Sequence, residues 1–251
     1  MGIFGNLFGK RKNHPVYPAL SDYSAFVTDI HSHLIPGIDD GCKTIEESVS
    51  LIQSLAELGF KKLVTTPHIM GDFYKNTPEV IFDGLEKLKA AVAAKGIHIS
   101  IEAAAEYYLD EEFLILTRQK KLLTIDSKYV LFEISFINQP DSLTGAIFDL
   151  IVNGYTPLLA HPERYPFWFQ KPEEYKNLKD AGVLFQLNTN SLTGYYGDEV
   201  KKTAQMLVDE NMVDFIGSDL HHAKHLAALH EGLHSKYLWK LAATGVKNRW
   251  L

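Results

Sequence analysis

The stretch DIHSHLIPGIDDG, residues 29–41, decides how the rest of the chain is read. A short apolar run over 26–30 (FVTDI) leads directly into His31 and His33, and Asp39, Asp40 and Gly41 follow. Residues i and i+2 of a strand project to the same side, so two imidazoles flanking one residue at a strand end can reach one metal ion.

Working outward, the chain repeats the arrangement of that first run. Apolar, β-branched runs recur at 62–66, 97–103, 129–134, 156–160, 183–187 and 213–217. Helical patterns fall between them over 44–58, 77–95, 110–119, 140–153, 172–181 and 197–210, and a last one covers 222–245. Thr44 with Glu47 forms a capping box ahead of Val49, Leu51, Ile52 and Leu55. Gly59 and Gly96 stand where helix C-terminal caps belong. Strands alternating with helices predict a parallel sheet. Seven β-runs without a long linker predict a closed or nearly closed barrel over residues 26–251; a doubly wound open sheet is the second choice.

The composition narrows the function. A formal charge of −6 argues against a nucleic-acid binder. The lone cysteine, Cys42, excludes a disulfide framework and a cysteine-cluster zinc site, and fits a reducing cytoplasm. No apolar run approaches the roughly 18 residues of a membrane span. Residues 1–25 read as an N-terminal tail. Its first twelve residues, MGIFGNLFGKRK, join two Phe-Gly steps to a basic cluster, the pattern of a peripheral contact with an anionic membrane face. Gly2 is not a myristoylation start, because position 6 is Asn6.

Metal-capable side chains follow six of the seven runs. These are His31 and His33, then His68 in TTPH, Glu106 in AAAE, Glu133, His161 in AHPER, and Asp219 with His221 in SDLH. In a parallel barrel all the C-terminal strand ends share one face, and that face carries the active site. Burying this many carboxylates and imidazoles without cations is prohibitive. Nitrogen and oxygen donors suit Mn, Fe or Zn better than Mg or Ca. Other machinery is missing: Ser48 stands where a cysteine phosphatase signature on Cys42 needs Arg, and no G-x-S-x-G elbow or phosphate-binding glycine loop occurs.

The blocks DIHSHLIPGIDDG, TPH, AEYY, FEIS, AHPERY and SDLHH, in this order over about residues 27–250, resemble the polymerase and histidinol phosphatase (PHP) superfamily. More closely, they resemble the manganese-dependent protein-tyrosine phosphatases of bacterial capsule and exopolysaccharide loci. The resemblance implies a distorted (β/α)7 TIM-like barrel and a three-ion manganese centre held by His31, His33, Asp40, His68, Glu106, Glu133, His161, Asp219 and His221. The residues alone leave Asp39 and Asp40 open at the DDG step; the family pattern selects Asp40. Arg164 corresponds to a phosphate-gripping arginine, its guanidinium fork matching phosphate oxygens; the competing role is a surface salt bridge with Glu163 or another acid. His68 and His221 are the candidates for assisting the leaving group.

The implied reaction is attack on phosphorus by a hydroxide that bridges the metal ions, without a phosphoenzyme. The implied substrate is a phosphotyrosine protein, a membrane-associated bacterial tyrosine kinase, which places the enzyme in the cytoplasm at the inner membrane face. A histidinol phosphatase, another small-molecule PHP phosphoesterase, and a non-enzymatic regulator of polysaccharide assembly are the alternatives. Two departures bear on phosphate binding. Ile69 and Met70 follow His68 where relatives often carry basic residues. The segment HHAKHLAAL lacks a second arginine, so His222, Lys224 or His225 would have to supply that charge. Tyr107, Tyr108, Phe136, Phe167 and Trp168 sit just past the proposed ligands, placed either to shape the pocket mouth or to pack in the core and rim.

Overall fold

In the computed structural model, which describes residues 17–251, nine parallel strands form two hydrogen-bonded sheets. The strands are β1 (Thr28–Asp29), β2 (Lys62–Thr65), β3 (His68–Ile69), β4 (Ser100–Ala103), β5 (Glu106–Tyr108), β6 (Tyr129–Glu133), β7 (Thr156–Ala160), β8 (Leu184–Asn188) and β9 (Phe215–Gly217). One sheet has the order β1-β2-β4 and the other β3-β5-β6-β7-β8-β9.

Two of the seven expected strands are broken. β2 halts at Thr66 and Pro67 and resumes as β3; β4 halts at Ala104 and Ala105 and resumes as β5. Pro67 has no N–H to give a ladder, which accounts for the first break. The breaks leave seven staves, because β2 pairs with β4 and β3 with β5. The ring closes between its first and last staves by a parallel bridge, Ser32 to Leu220. Further down, the Asn248 side chain closes the gap: its Oδ1 accepts from Ile216 N–H, and its Nδ2 donates to the carbonyls of Thr28 and Ile216. The result is a distorted (β/α)7 barrel.

Six helices match the expected runs to within a few residues: α1 (Ile45–Glu57), α2 (Pro78–Ala94), α3 (Glu111–Gln119), α4 (Leu143–Val152), α5 (Pro172–Asp180) and α6 (Asp198–Asp209). The Thr44 hydroxyl accepts from Glu47 N–H, and the Glu47 carboxylate accepts from Lys43 N–H, so the capping box forms one residue off its ideal closure. The last expected helix is two: α7 (Ala223–Gly232) and α8 (Lys236–Thr244), with Ser235 capping the second.

A small core of Ile30, Val64, Ala104, Leu131, Leu158, Ala160 and Phe215 fills the barrel interior. The alternate strand residues, such as Leu63, Val130, Phe132, Leu159, Phe185 and Ile216, join the larger layer beneath the helices. Period-2 alternation therefore sends every second strand residue inward. Of the expected tail, residues 17–25 pack on the barrel. Tyr23 is fully buried and its hydroxyl donates to the Leu229 carbonyl. The Phe-Gly and basic segment, residues 1–12, lies outside the described residues. No helix among the described residues is long and apolar enough to cross a membrane.

Candidate active site

The C-terminal strand ends bring all nine expected metal-capable residues together. Three groups have donor atoms close enough to hold an ion: His31, His33 and Asp219; His68, Glu106 and Glu133; and Asp40 with His33, His68 and His221. His161 stands beside the second group, its Nε2 3.1 Å from Glu106 Oε1. Glu106 is the hub. Its Oε2 lies 3.0 Å from His31 Nε2 and 3.3 Å from both His33 Nε2 and His68 Nδ1.

The strand ends aim these groups, and neighbours fix which nitrogen faces inward. His31 Nδ1–H donates to Gln186 Oε1 at 2.6 Å, and His33 Nδ1–H donates to Asp39 Oδ2 at 2.8 Å. Each ring then turns a bare Nε2 toward the centre, the usual way a protein sets an imidazole for a metal. The two aspartates take different positions. Asp40 Oδ1 faces His68 and His221 at 3.5 and 3.4 Å. Asp39 points away and also accepts from the N–H groups of His68 and Gly41. Gly41 has to be glycine, since an added Cβ would sit 2.2 Å from the His33 carbonyl oxygen.

Strand β8 contributes what the sequence reading missed. Gln186 and Asn188 are fully buried and share the inward face. Gln186 Nε2 donates to Asn188 Oδ1 and Asn188 Nδ2 donates to Asp219 Oδ2, so one relay joins His31 to Asp219. The signal was two amides at i and i+2 in an otherwise apolar run. Backbone strain concentrates here as well: His161 and Asp219 adopt left-handed φ values of 35° and 49°. Such strain persists only where surroundings enforce it, and it clusters at functional sites.

The donors fit divalent cations. The Nε2 atoms of His31 and His33 lie 3.3 Å apart, facing the same two carboxylates. His68 Nδ1 is buried without a hydrogen-bond partner among the described residues, although carboxylates lie 3.3 and 3.5 Å away. The electrostatics carry the same message. Burial disfavours charge on His31, but Glu106 and Asp219 outweigh it and hold the imidazole above its ordinary value. Burial also opposes ionisation of Glu106, yet His31 and His68 keep it well below the usual range. Burial, with Glu106 and Asp219 beside it, pushes Glu133 well above that range. This cluster of acids and bases wants positive charge at its centre.

Above it opens a pocket of about 410 Å³. Arg164 is in its wall, with Nη1 3.0 Å from Asp219 Oδ2. The alternative ion pair thus forms with another acid, Asp219, and not with Glu163. Glu163 is buried, accepts from Ser191 Oγ and Asn188 N–H, and is pushed up to about 7 by burial. Of the five aromatic residues just past the ligands, Phe136 alone lines the mouth, stacked on His161 with ring centroids 5.6 Å apart. Tyr107 and Trp168 are core residues, and Tyr108 and Phe167 lie off the pocket. Tyr74, stacked on His68 at 5.5 Å, and Tyr196 take their places. Among the candidates for the second positive charge, Lys224 is exposed and off the pocket. His225 lines it but is held neutral, burial lowering it to about 4, and His222 lines it too.

Residues 27–235 match the family model described as "Capsular polysaccharide synthesis, CpsB/CapC". The chain belongs to the CpsB/CapC family. It is 29% identical over 197 residues to the tyrosine-protein phosphatase YwqE of Bacillus subtilis, covering 78% of each chain. It also resembles a solved structure from work on YwqE of Bacillus subtilis and CpsB of Streptococcus pneumoniae, described as metal-dependent tyrosine phosphatases. There the TM-score is 0.75 at 26% identity, over 88% of this chain and 95% of that one. A histidinol phosphate phosphatase of Lactococcus lactis shares the fold alone, with a TM-score of 0.51, 15% identity, and coverage of 82% and 91%. The CpsB/CapC match spans every candidate site residue, from His31 to His221.

Proposed function

We propose that this chain is a metal-dependent protein-tyrosine phosphatase of capsule or exopolysaccharide assembly, acting in the cytoplasm on a membrane-associated bacterial tyrosine kinase. The observation that carries this reading is the convergence of nine metal-capable side chains beneath an open pocket with Arg164 in its wall. Family membership and the tyrosine phosphatase names of its relatives support the substrate class.

His31, His33, Asp40, His68, Glu106, Glu133, His161, Asp219 and His221 are assigned as the ligands of three manganese ions. Bound there, the ions supply Lewis-acid charge and lower the pKa of water, which makes a nucleophile available near neutral pH. The protein's own part is orientation. Gln186 and Asp39 lock His31 and His33 in the tautomer that offers Nε2. Glu106 presents one oxygen to the His31–His33 side and the other to His161. Arg164 engages Asp219 through Nη1 alone, which leaves its other donors for the phosphoryl oxygens. A tyrosyl leaving group has a pKa near 10, so it needs only modest proton assistance. Water held at the ion site, beside His68 and His221, would give that proton. Their side chains, 12% and 15% exposed, stand nearer the surface than His31, His33 and His161. Tyr74 and Phe136 bound the mouth, and Phe136 is 40% exposed, so an incoming phenyl ring has aromatic faces to meet.

The experiment is phosphate release by the manganese-loaded full chain from a phosphotyrosyl peptide and from histidinol phosphate, each with and without chelator. The reading predicts chelator-sensitive release from the peptide. Preference for histidinol phosphate would move the protein to the small-molecule phosphoesterases. Release from neither, with metal bound, would leave another phosphoester or the regulator.

A further inference from the structure

Tyr196 lies between two glycines with φ of 94° and 99°, Gly194 and Gly197, in the turn that enters α6. It lines the pocket, as Phe136 does. The Arg164 guanidinium is held between them, 4.3 Å from the Tyr196 ring and 5.0 Å from the Phe136 ring. The ring is thus an aromatic shelf for the pocket's one permanent cation among the described lining residues.

The hydroxyl is not explained by that shelf. It is enclosed, and it has no hydrogen-bond partner among the described residues. An enclosed hydroxyl left unpaired costs free energy, so it calls for an acceptor. The pocket groups beside it are already engaged. Arg164 only donates, and Asp219 Oδ2 already accepts from Arg164 Nη1 and Asn188 Nδ2. Burial pushes the phenol up, which keeps it protonated and therefore a donor. The sequence also leaves a need for one: Leu226 and its neighbours bring no arginine to this wall, and Lys224 is off the pocket. A phosphate group has three non-bridging oxygens, more than Arg164 alone can satisfy.

We propose that the Tyr196 hydroxyl binds a phosphoryl oxygen of the substrate, acting beside Arg164 as a neutral second donor. The ligand class is an aryl phosphate or inorganic phosphate. The inference rests on the phosphatase reading above, and its test is built to fail separately.

The test is Tyr196→Phe in the manganese-loaded full chain. This change keeps the ring under Arg164 and removes only the hydroxyl. The probe is inorganic phosphate, titrated by calorimetry, with bound metal per chain measured in the same samples. A hydrogen bond to a charged acceptor predicts phosphate binding weakened about tenfold or more, with metal content unchanged. Where the peptide is hydrolysed, kcat/KM should fall by a similar factor. Tyr196→Leu, which also removes the shelf, should weaken phosphate further. Equal phosphate affinity in wild type and Tyr196→Phe would overturn the proposal, as would no phosphate binding by either. Failure of the phosphatase reading appears instead as absent phosphate release from the peptide by the wild-type chain.

Discussion

Replacing Asp39 by Asn separates orientation from ligation at the DDG step. The Asp39 carboxylate accepts three hydrogen bonds: from His33 Nδ1–H at 2.8 Å, Gly41 N–H at 2.9 Å and His68 N–H at 3.1 Å. Asparagine keeps the shape but offers one acceptor oxygen, so its amide nitrogen must face at least one of these donors. Leaving one such donor unpaired should destabilise the metal-free protein by about 1–3 kcal/mol, read as a lower urea midpoint. The larger consequence is at His33, which loses the partner that fixes its tautomer. Loss of such an orienting partner typically lowers metal affinity 10–100-fold. Manganese titration by calorimetry should show that drop in Asp39→Asn, with excess manganese restoring most of the phosphate release. Asp40→Asn removes an assigned ligand facing His68 and His221, so excess metal should not restore it. The reasoning is refuted if Asp39→Asn binds manganese as wild type does, or if the two variants exchange behaviours.

Burial raises Glu163 from 4.5 to about 7, so the folded state binds the extra proton between those values. Stability of the metal-free protein should therefore fall by roughly 1–3 kcal/mol as pH rises from about 5 to 8, and urea midpoints of Glu163→Gln should lose that slope. Gly217→Ala would place a Cβ 2.6 Å from His31 Cβ and 2.7 Å from Gln186 Nε2. A cost of about 1–3 kcal/mol and weakened manganese binding are expected, measured by thermal unfolding and metal content. Phe136→Ala removes a ring that is 40% exposed, so unfolding should not change. Its kcat/KM for a phosphotyrosyl peptide should fall about three- to tenfold, and inorganic phosphate binding should weaken by less, because Tyr196 still holds Arg164.

The barrel was legible because burial on both faces forces apolar runs, and helix α1 carries its own cap at Thr44. The site was legible for the related reason that a parallel barrel gathers its strand ends. His31, His33, His68, Glu106, Glu133, His161, Asp219 and His221 each follow a run, and the fold delivers them to one place. What stayed hidden depends on tertiary contact rather than on spacing. Asp39 and Asp40 are adjacent, and only the turn after β1 sends one toward His33 and the other toward His221. Gln186 and Asn188 looked like part of a buried strand, because amides carry no charge to advertise a role. The aromatic residues stayed open between mouth and core for a similar reason. Adjacency to a ligand says little about the mouth when alternate strand residues point to opposite faces, so Tyr107 went to the core while Tyr74 and Tyr196 arrived from loops.

The most direct measurement titrates manganese into metal-stripped full chain, following bound metal and phosphate release from a phosphotyrosyl peptide in the same samples. Three groups of donors predict release that rises with binding and levels off near three ions per chain. Undiminished release by the metal-free chain, or a metal-saturated chain that releases no phosphate, would contradict the account.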